Sequence, residues 1–154
     1  MIPEDYPDKE KYRLCLIDLG NLLQQTSTIF QMMEREQKKV VGFTSSQSFL
    51  MIELLNCGEI SMAGISRRMN LEKSSVTRMV KILIRDGLIE GEHSKEDRRV
   101  FNIRLTFEGQ KRAEEVKNNR LEYYQKIISG LPKGHVREVM DSASILFKAL
   151  EDSM

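Results

Sequence analysis

The sequence predicts a mainly helical fold of the α+β class, and three observations predict it. Apolar side chains recur at three-and-four spacing over most of the chain, the period of a helix with one buried stripe. One stretch breaks that period: Phe101, Ile103 and Leu105 alternate with Asn102 and Arg104, as in a half-exposed strand. Long amphipathic helices occupy both ends, separated by one compact middle segment.

A chain of 154 residues is about one domain's worth and can bury a core without staples. With 40% hydrophobic and 31% charged residues it has the composition of an ordinary soluble protein. Two cysteines, Cys15 and Cys57, point to a reducing compartment rather than a disulfide scaffold. No apolar run approaches the roughly 20 residues that span a bilayer. The acidic opening, Met1-Ile2-Pro3-Glu4-Asp5-Tyr6-Pro7-Asp8, is the wrong chemistry for a signal peptide. A cytoplasmic protein with no membrane partner is expected. His93 and His135 are the only histidines, and neither has a nucleophile or carboxylate signature beside it. With no glycine-rich phosphate loop and no zinc spacing, no catalytic residue, metal ligand or cofactor is expected.

Along the chain, the first eight residues lack periodicity and read as an arm or frayed end. From Lys9 to about Lys39, the residues Tyr12, Leu16, Leu19, Leu23, Thr26, Phe30 and Met33 alternate in steps of four and three, which makes one long helix. Ile17, Leu22 and Ile29 widen its stripe beyond what a single partner helix covers. The helix is therefore expected to face its own domain on one side and a second subunit on the other. Val40-Val41-Gly42-Phe43 breaks it, and Thr44-Ser45-Ser46-Gln47 restarts a helix with a capping-box pattern. That helix carries Phe49, Leu50, Ile52, Leu54 and Leu55 and stops at Cys57-Gly58. Residues 58–61 are a candidate short strand. Ser61 then caps a helix with Met62, Ile65 and Met69 inside and Arg67 and Arg68 outside.

After a tight turn at Asn70, residues 73–87 place Val76, Met79, Val80, Leu83 and Ile84 on one helical stripe. The other stripe is Ser74, Thr77, Arg78, Lys81 and Arg85. Hydroxyls in the first turns and cations further along suit a helix whose start approaches base edges while its flanks reach phosphates. Leu88-Ile89 and residues 101–105 read as a strand pair. The connection from His93 to Arg99 is too long and too charged for a two-residue hairpin turn, so it reads as a protruding wing. Thr106 opens a helix with Phe107, Ala113, Val116, Leu121, Tyr124, Ile127 and Ile128 on its apolar side. Gly130-Leu131-Pro132 ends it, proline being able to begin the next helix but not to continue this one. The last helix carries Val136, Val139, Met140, Ala143, Leu146, Phe147 and Leu150.

The net charge is only +1, yet residues 61–104 hold ten Lys or Arg against six acids, so positive charge is concentrated in the middle segment. Within it stands an ordered series: Leu71-x-x-Ser74-Ser75-Val76-Thr77-Arg78-Met79-Val80, then Asp86-Gly87-Leu88-Ile89, then Asp97-Arg98-Arg99, then Leu105-Thr106-x-x-Gly109. The series resembles the winged helix-turn-helix of the MarR family of bacterial transcription regulators, over Thr44 to about Val116. Three positions depart from it. Asn70 stands where the family commonly has glycine, and asparagine tolerates the left-handed conformation. Gly64 weakens a short helix by ~1 kcal/mol relative to alanine. Glu72 stands where a serine cap is common, so either its carboxylate serves the helix start or the cap shifts by a residue.

The resemblance implies one domain over 1–154, with a winged helix-turn-helix at 44–105 and dimerisation helices at 9–39 and 106–152. It implies a triangular homodimer, and the apolar ends name Tyr12, Leu16, Leu19, Val136, Met140, Phe147 and Leu150 as candidate interface residues. Such a dimer sets two recognition helices roughly 34 Å apart in successive major grooves, so the expected partner is double-stranded DNA carrying an inverted repeat. Ser74, Ser75, Thr77 and Arg78 are the candidates for base edges; Lys73 and Lys81 are candidates for phosphate, and Arg67 on the preceding helix is a further candidate DNA contact. The family pattern of acid, any residue, arginine falls on Asp97 and Arg99. It implies that Arg99 enters the minor groove while Asp97 holds the wing by ion pairing, leaving Lys95 and Arg98 to the backbone. A repressor modulated by a small phenolic or aromatic acid, bound between the dimer helices and the head, is expected by the same resemblance. Two alternatives stand beside it. One is a thiol-based redox sensor acting through Cys15, although its neighbours Leu14, Leu16 and Ile17 favour an inert thiol over the thiolate that Arg13 would promote. The other is a winged-helix module that binds protein and does not read DNA.

Overall fold

A computed structural model describes residues 8–153; apart from Asp8, the expected N-terminal arm lies outside them. The elements run α1 (Lys9–Val41), α2 (Ser45–Cys57), β1 (Glu59–Ser61), α3 (Met62–Met69), α4 (Lys73–Arg85), β2 (Ile89–His93), β3 (Phe101–Leu105), α5 (Phe107–Ser129) and α6 (Val136–Asp152). Asp8 caps α1 by accepting from the Glu10 N–H at 2.9 Å, and Gly42, at φ 81°, ends it in the left-handed conformation. Thr44 and Gln47 form the reciprocal capping box that starts α2. Glu59–Ser61 is indeed a strand, and the antiparallel sheet has the order β1-β3-β2, with Ile60 opposite Ile103 and Ile89 opposite Leu105.

The core lies in the middle segment, joined by the end of α1 and the first turns of α5. Leu50, Met51 and Leu54 of α2 meet Ile65 of α3, Val76, Val80 and Leu83 of α4, Ile103 and Leu105 of β3, and Ala113 and Val116 of α5. Met51, absent from the expected α2 stripe, is fully buried, while Phe49, Ile52 and Leu55 are only partly so. The cause is geometric: α2 packs on α5 as well as on α3 and the sheet, so its buried arc is wider than one stripe. The α5 start crosses the sheet closely. A Cβ at Gly109 would overlap the Leu88 carbonyl oxygen and lie 2.8 Å from its carbon. Thr106 fixes this crossing, its hydroxyl donating to the Gly87 carbonyl at 2.7 Å and accepting from the Gly109 N–H at 3.0 Å.

Outside the head the packing differs from expectation. Helix α1 buries only Val41, its last residue, so it meets its own head at one end rather than along a side. Helix α6 buries no residue at all. Leu16, Ile17, Leu22 and Ile29 on α1, Leu121, Ile127 and Ile128 on α5, and Met140, Ile145 and Phe147 on α6 are all exposed. Phe107, read as part of the α5 apolar side, is 85% exposed, because it precedes the turn of α5 that reaches the core. Pro132 does not open α6. A turn with Gly134 at φ 85° intervenes, and the helix starts four residues later at Val136. Among the described residues no helix is long and apolar enough to cross a membrane.

Candidate nucleic-acid interface

The surface is built on α3, the turn after it, α4 and the wing. Ser61 caps α3, its hydroxyl accepting from the Gly64 N–H at 3.1 Å. The glycine at 64 has a packing reason: a Cβ there would lie 2.8 Å from Ile60 Cγ1, so the helix-weakening residue lets α3 fold back tightly on β1. Asn70 takes the left-handed conformation at φ 49°, ψ 46°, as its residue type allows. The buried Ser66 hydroxyl donates to the Leu71 carbonyl at 2.6 Å and the Leu71 N–H donates to the Ser66 carbonyl at 3.1 Å. This latch sets the angle of α4 to α3. Sequence reasoning missed Ser66; the only signal was a small hydroxyl beside the buried Ile65.

Glu72 is the residue before α4, and its side chain makes no capping hydrogen bond. The cap therefore does not shift, nor does the carboxylate bond the helix start. Val76, Val80 and Leu83 are buried, which turns Ser74, Ser75, Arg78, Lys81 and Arg85 to solvent. Thr77 is half-buried, and its hydroxyl donates to the Lys73 carbonyl at 2.7 Å. Expected as donor or acceptor, it retains only acceptor capacity for a base edge. Ile84, expected inside, is 38% exposed. With Met62, Val80 and Phe101 it lines a cleft of about 620 Å³ between α4 and the wing, where Lys73, Lys81 and Arg99 also lie.

The wing tip is ordered by its own backbone. The Ser94 N–H donates to the Val100 carbonyl and the Val100 N–H to the Asp97 carbonyl, each at 2.9 Å. Asp97 Oδ1 accepts from the Arg99 N–H at 2.9 Å. Asp97 thus holds the wing by a backbone turn and takes part in no ion pair among the described residues, correcting the expectation. Arg98 and Arg99 are left exposed beside it.

Three cations of the middle segment are already engaged. On the outer face of the sheet Arg104 reaches Glu90 at 2.8 Å, Glu92 at 3.1 Å and Glu59 at 3.4 Å. Its guanidinium pKa is raised, first by the hydrogen bond and charge of Glu90 and then by its bonds to Glu92 and Glu59. Arg85 pairs with Asp86 at 2.9 Å and Arg68 with Glu53 at 3.1 Å. Arg67, Lys73, Arg78, Lys81, Lys95, Arg98 and Arg99 are exposed and enter none of the ion pairs among the described residues. Several share adjoining hollows: Arg67, Lys73 and Ser75 in one, Ser74, Thr77, Arg78 and Lys81 in the next, and Lys73, Lys81 and Arg99 in the third.

A separate cleft lies where α1, α2 and α5 meet, lined by Phe30, Met33, Val41, Val116, Tyr123 and Tyr124, with Glu34 and Arg120 at its polar side. Arg120 Nε donates to Tyr124 Oη at 2.8 Å. His93 rests edge-on against Phe101, and His135 precedes α6, so the two histidines sit on different elements. No group of three His, Cys, Asp or Glu able to hold a metal occurs among the described residues. Cys15, on α1, and Cys57, the last residue of α2, are both half-buried.

Comparison with known proteins agrees with this architecture. A family model described as the MarR family matches residues 43–101. The chain is 32% identical over 118 residues to the HTH-type transcriptional repressor MdtR of Bacillus subtilis (strain 168), covering 77% of this chain and 73% of that protein. It is 31% identical over 121 residues to the HTH-type transcriptional repressor IacR of Pseudomonas putida, covering 79% and 72%. It shares the fold of Streptococcus pneumoniae FabT, solved in complex with DNA, at a TM-score of 0.74 and 20% identity over 88% of this chain and 99% of that one. A head whose α4 is held outward by its own core, followed by a three-stranded wing, thus accompanies likeness to named repressors over most of the chain: it belongs to the MarR family of winged helix-turn-helix transcription regulators.

Proposed function

We propose that the chain represses transcription as a homodimer that reads an inverted repeat in double-stranded DNA. One observation carries the reading: the α4 stripe turned away from the core and the wing tip present hydroxyls and unpaired cations over adjoining hollows, with α4 held at a fixed angle by the Ser66 latch. Ser74, Ser75 and Arg78 reach base edges, Thr77 accepts there, and Arg67, Lys73, Lys81, Lys95 and Arg98 neutralise phosphates. Arg99 enters the minor groove, and Asp97 shapes the tip that carries it. The repressor names of MdtR and IacR support the direction of regulation.

Residues 44–105 act as the reading head, and 9–39 with 106–152 as the dimerising arms. The support is the exposed apolar surface of α1, α5 and α6, which includes Leu16, Leu19, Met140 and Phe147, with Tyr12, Val136 and Leu150 half-buried on the same helices. The α1/α2/α5 cleft suits a small phenolic or aromatic acid: its rings would meet Phe30, Met33 and Tyr123, and its carboxylate Arg120.

Selection of duplexes from a random pool tests the reading. The enriched sequence is expected to be an inverted repeat with half-site centres about 10 base pairs apart. With these five cations per chain neutralising ten phosphates per dimer, raising salt fourfold lowers affinity about 10⁵-fold, whereas a fall of less than about threefold would exclude the proposed contacts. Arg99→Ala is expected to weaken the selected site about 10- to 100-fold without unfolding the protein, and an unchanged gel shift would remove the wing from the interface.

A further inference from the structure

Arg112, in the second turn of α5, is held by contacts that cross the molecule. Its Nη2 donates to the Val41 carbonyl at 3.1 Å, 71 residues away in sequence. Its guanidinium lies over the Phe43 ring, 5.4 Å from the centroid, and its Nη1 pairs with Glu115 on the same helix. Val41 is the last residue of α1 and its only buried one, and its carbonyl is among those that a helix leaves unsatisfied at its C-terminus. A cation there also meets the negative end of the α1 dipole. Phe43 is buried in the head core. Between Val41 and Phe43 stands only Gly42, at φ 81°, where no Cβ restricts the backbone. One planar group therefore bridges the end of the long arm, the first core residue of the head, and the helix that packs behind both.

We infer that Arg112 is a positioning residue for operator binding: it pins the head against swivelling about Gly42 and so fixes the separation of the two recognition helices. The inference rests on the dimeric reading given above. A free swivel leaves each head's own DNA contacts intact and blurs only their spacing. Arginine is required because its fork bonds the carbonyl and the carboxylate while its face stacks on Phe43, three contacts that a lysine ammonium cannot make together.

The test compares wild type, Arg112→Gln and Arg112→Lys on a panel of duplexes at low salt. The panel holds a single half-site and the selected inverted repeat with its spacer at the optimum and one or two base pairs longer or shorter. Wild type is expected to bind the optimum and to lose affinity steeply on either side. For Arg112→Gln, affinity at the optimum falls about tenfold and the spacing profile flattens, while half-site affinity stays within about twofold and the molar mass stays dimeric. Arg112→Lys falls between the two, and decides the matter alone should Arg112→Gln not fold. An equal loss on every duplex, half-site included, would overturn the inference in favour of a purely structural arginine. A sharp wild-type profile unchanged in the variants would overturn it alone. A wild-type profile without spacing preference would overturn the dimeric reading and this inference with it.

Discussion

Gly109 and Asn70 show how far single residues could be read. Both were visible as special positions, Asn70 because it can adopt the left-handed conformation and Gly109 only as part of a motif. What Gly109 does, letting α5 cross the Leu88 backbone, depends on a contact between segments and has no local signature. Gly109→Ala is expected to lower stability by about 3 kcal/mol in urea unfolding, since the obstacle is backbone that cannot rotate away. At Asn70 two effects of similar size compete. Asn70→Gly relieves left-handed strain but frees the unfolded chain, so it should stay within about 0.5 kcal/mol of wild type, whereas Asn70→Val costs about 1–2 kcal/mol. A loss above about 2 kcal/mol for the glycine variant would mean that the Asn70 side chain has a role beyond the turn. Asp97 was legible as an anchor of the wing but not in its mode of action. An acid two residues before an arginine is compatible with an ion pair, yet at that offset the backbone N–H is the nearer donor.

At the scale of elements, periodicity located the helices and the strand pair and overreached at the edges of the stripes. Leu83 and Ile84 are neighbours in one predicted apolar set, but Leu83 is fully buried and Ile84 faces the cleft beside the wing. Leu83→Ala should cost about 2–5 kcal/mol, while Ile84→Ala should cost under about 1 kcal/mol. Equal losses would show that α4 packs at a different rotation from the one described, and with it the outward stripe. The charge count was a coarser guide than the pattern. Arg104, Arg85 and Arg68 contribute to the surplus yet are engaged, and for Arg104 and Arg68 the carboxylates come from other elements, 12 to 45 residues away in sequence. No local rule identifies those pairings. The unpaired cations of α4 and the wing tip were legible because each lies on the outward side of a short amphipathic or looped segment.

For the whole molecule, the division of labour was the most legible feature. Among the described residues the buried hydrophobic ones lie in the head, at Val41 and Phe43 just before it, and at Ala113 and Val116 where α5 leaves it, while the rest of the long helices carries apolar surface that the head does not cover. The expectation that α1 would lie along its own domain failed because α1 meets the head only through its C-terminal part, where Phe30, Met33 and Val41 line the cleft with α2 and α5 and only Val41 is buried. That geometry makes the angle at Gly42 a mechanical variable and puts the Arg112 contact at the centre of the account. Met140→Glu combined with Phe147→Glu, both on the unburied α6, is expected to dissociate the arms while leaving the head folded.

Sedimentation equilibrium of the wild-type chain, alone and with the selected duplex, tests the central claim most directly. The account predicts a free species of twice the 17.9 kDa chain mass and a complex of two chains per inverted repeat, with the α6 double variant sedimenting as a single chain and losing the full site. A wild-type monomer of 17.9 kDa that binds the whole repeat one chain at a time, as tightly as the account requires of two, would contradict it.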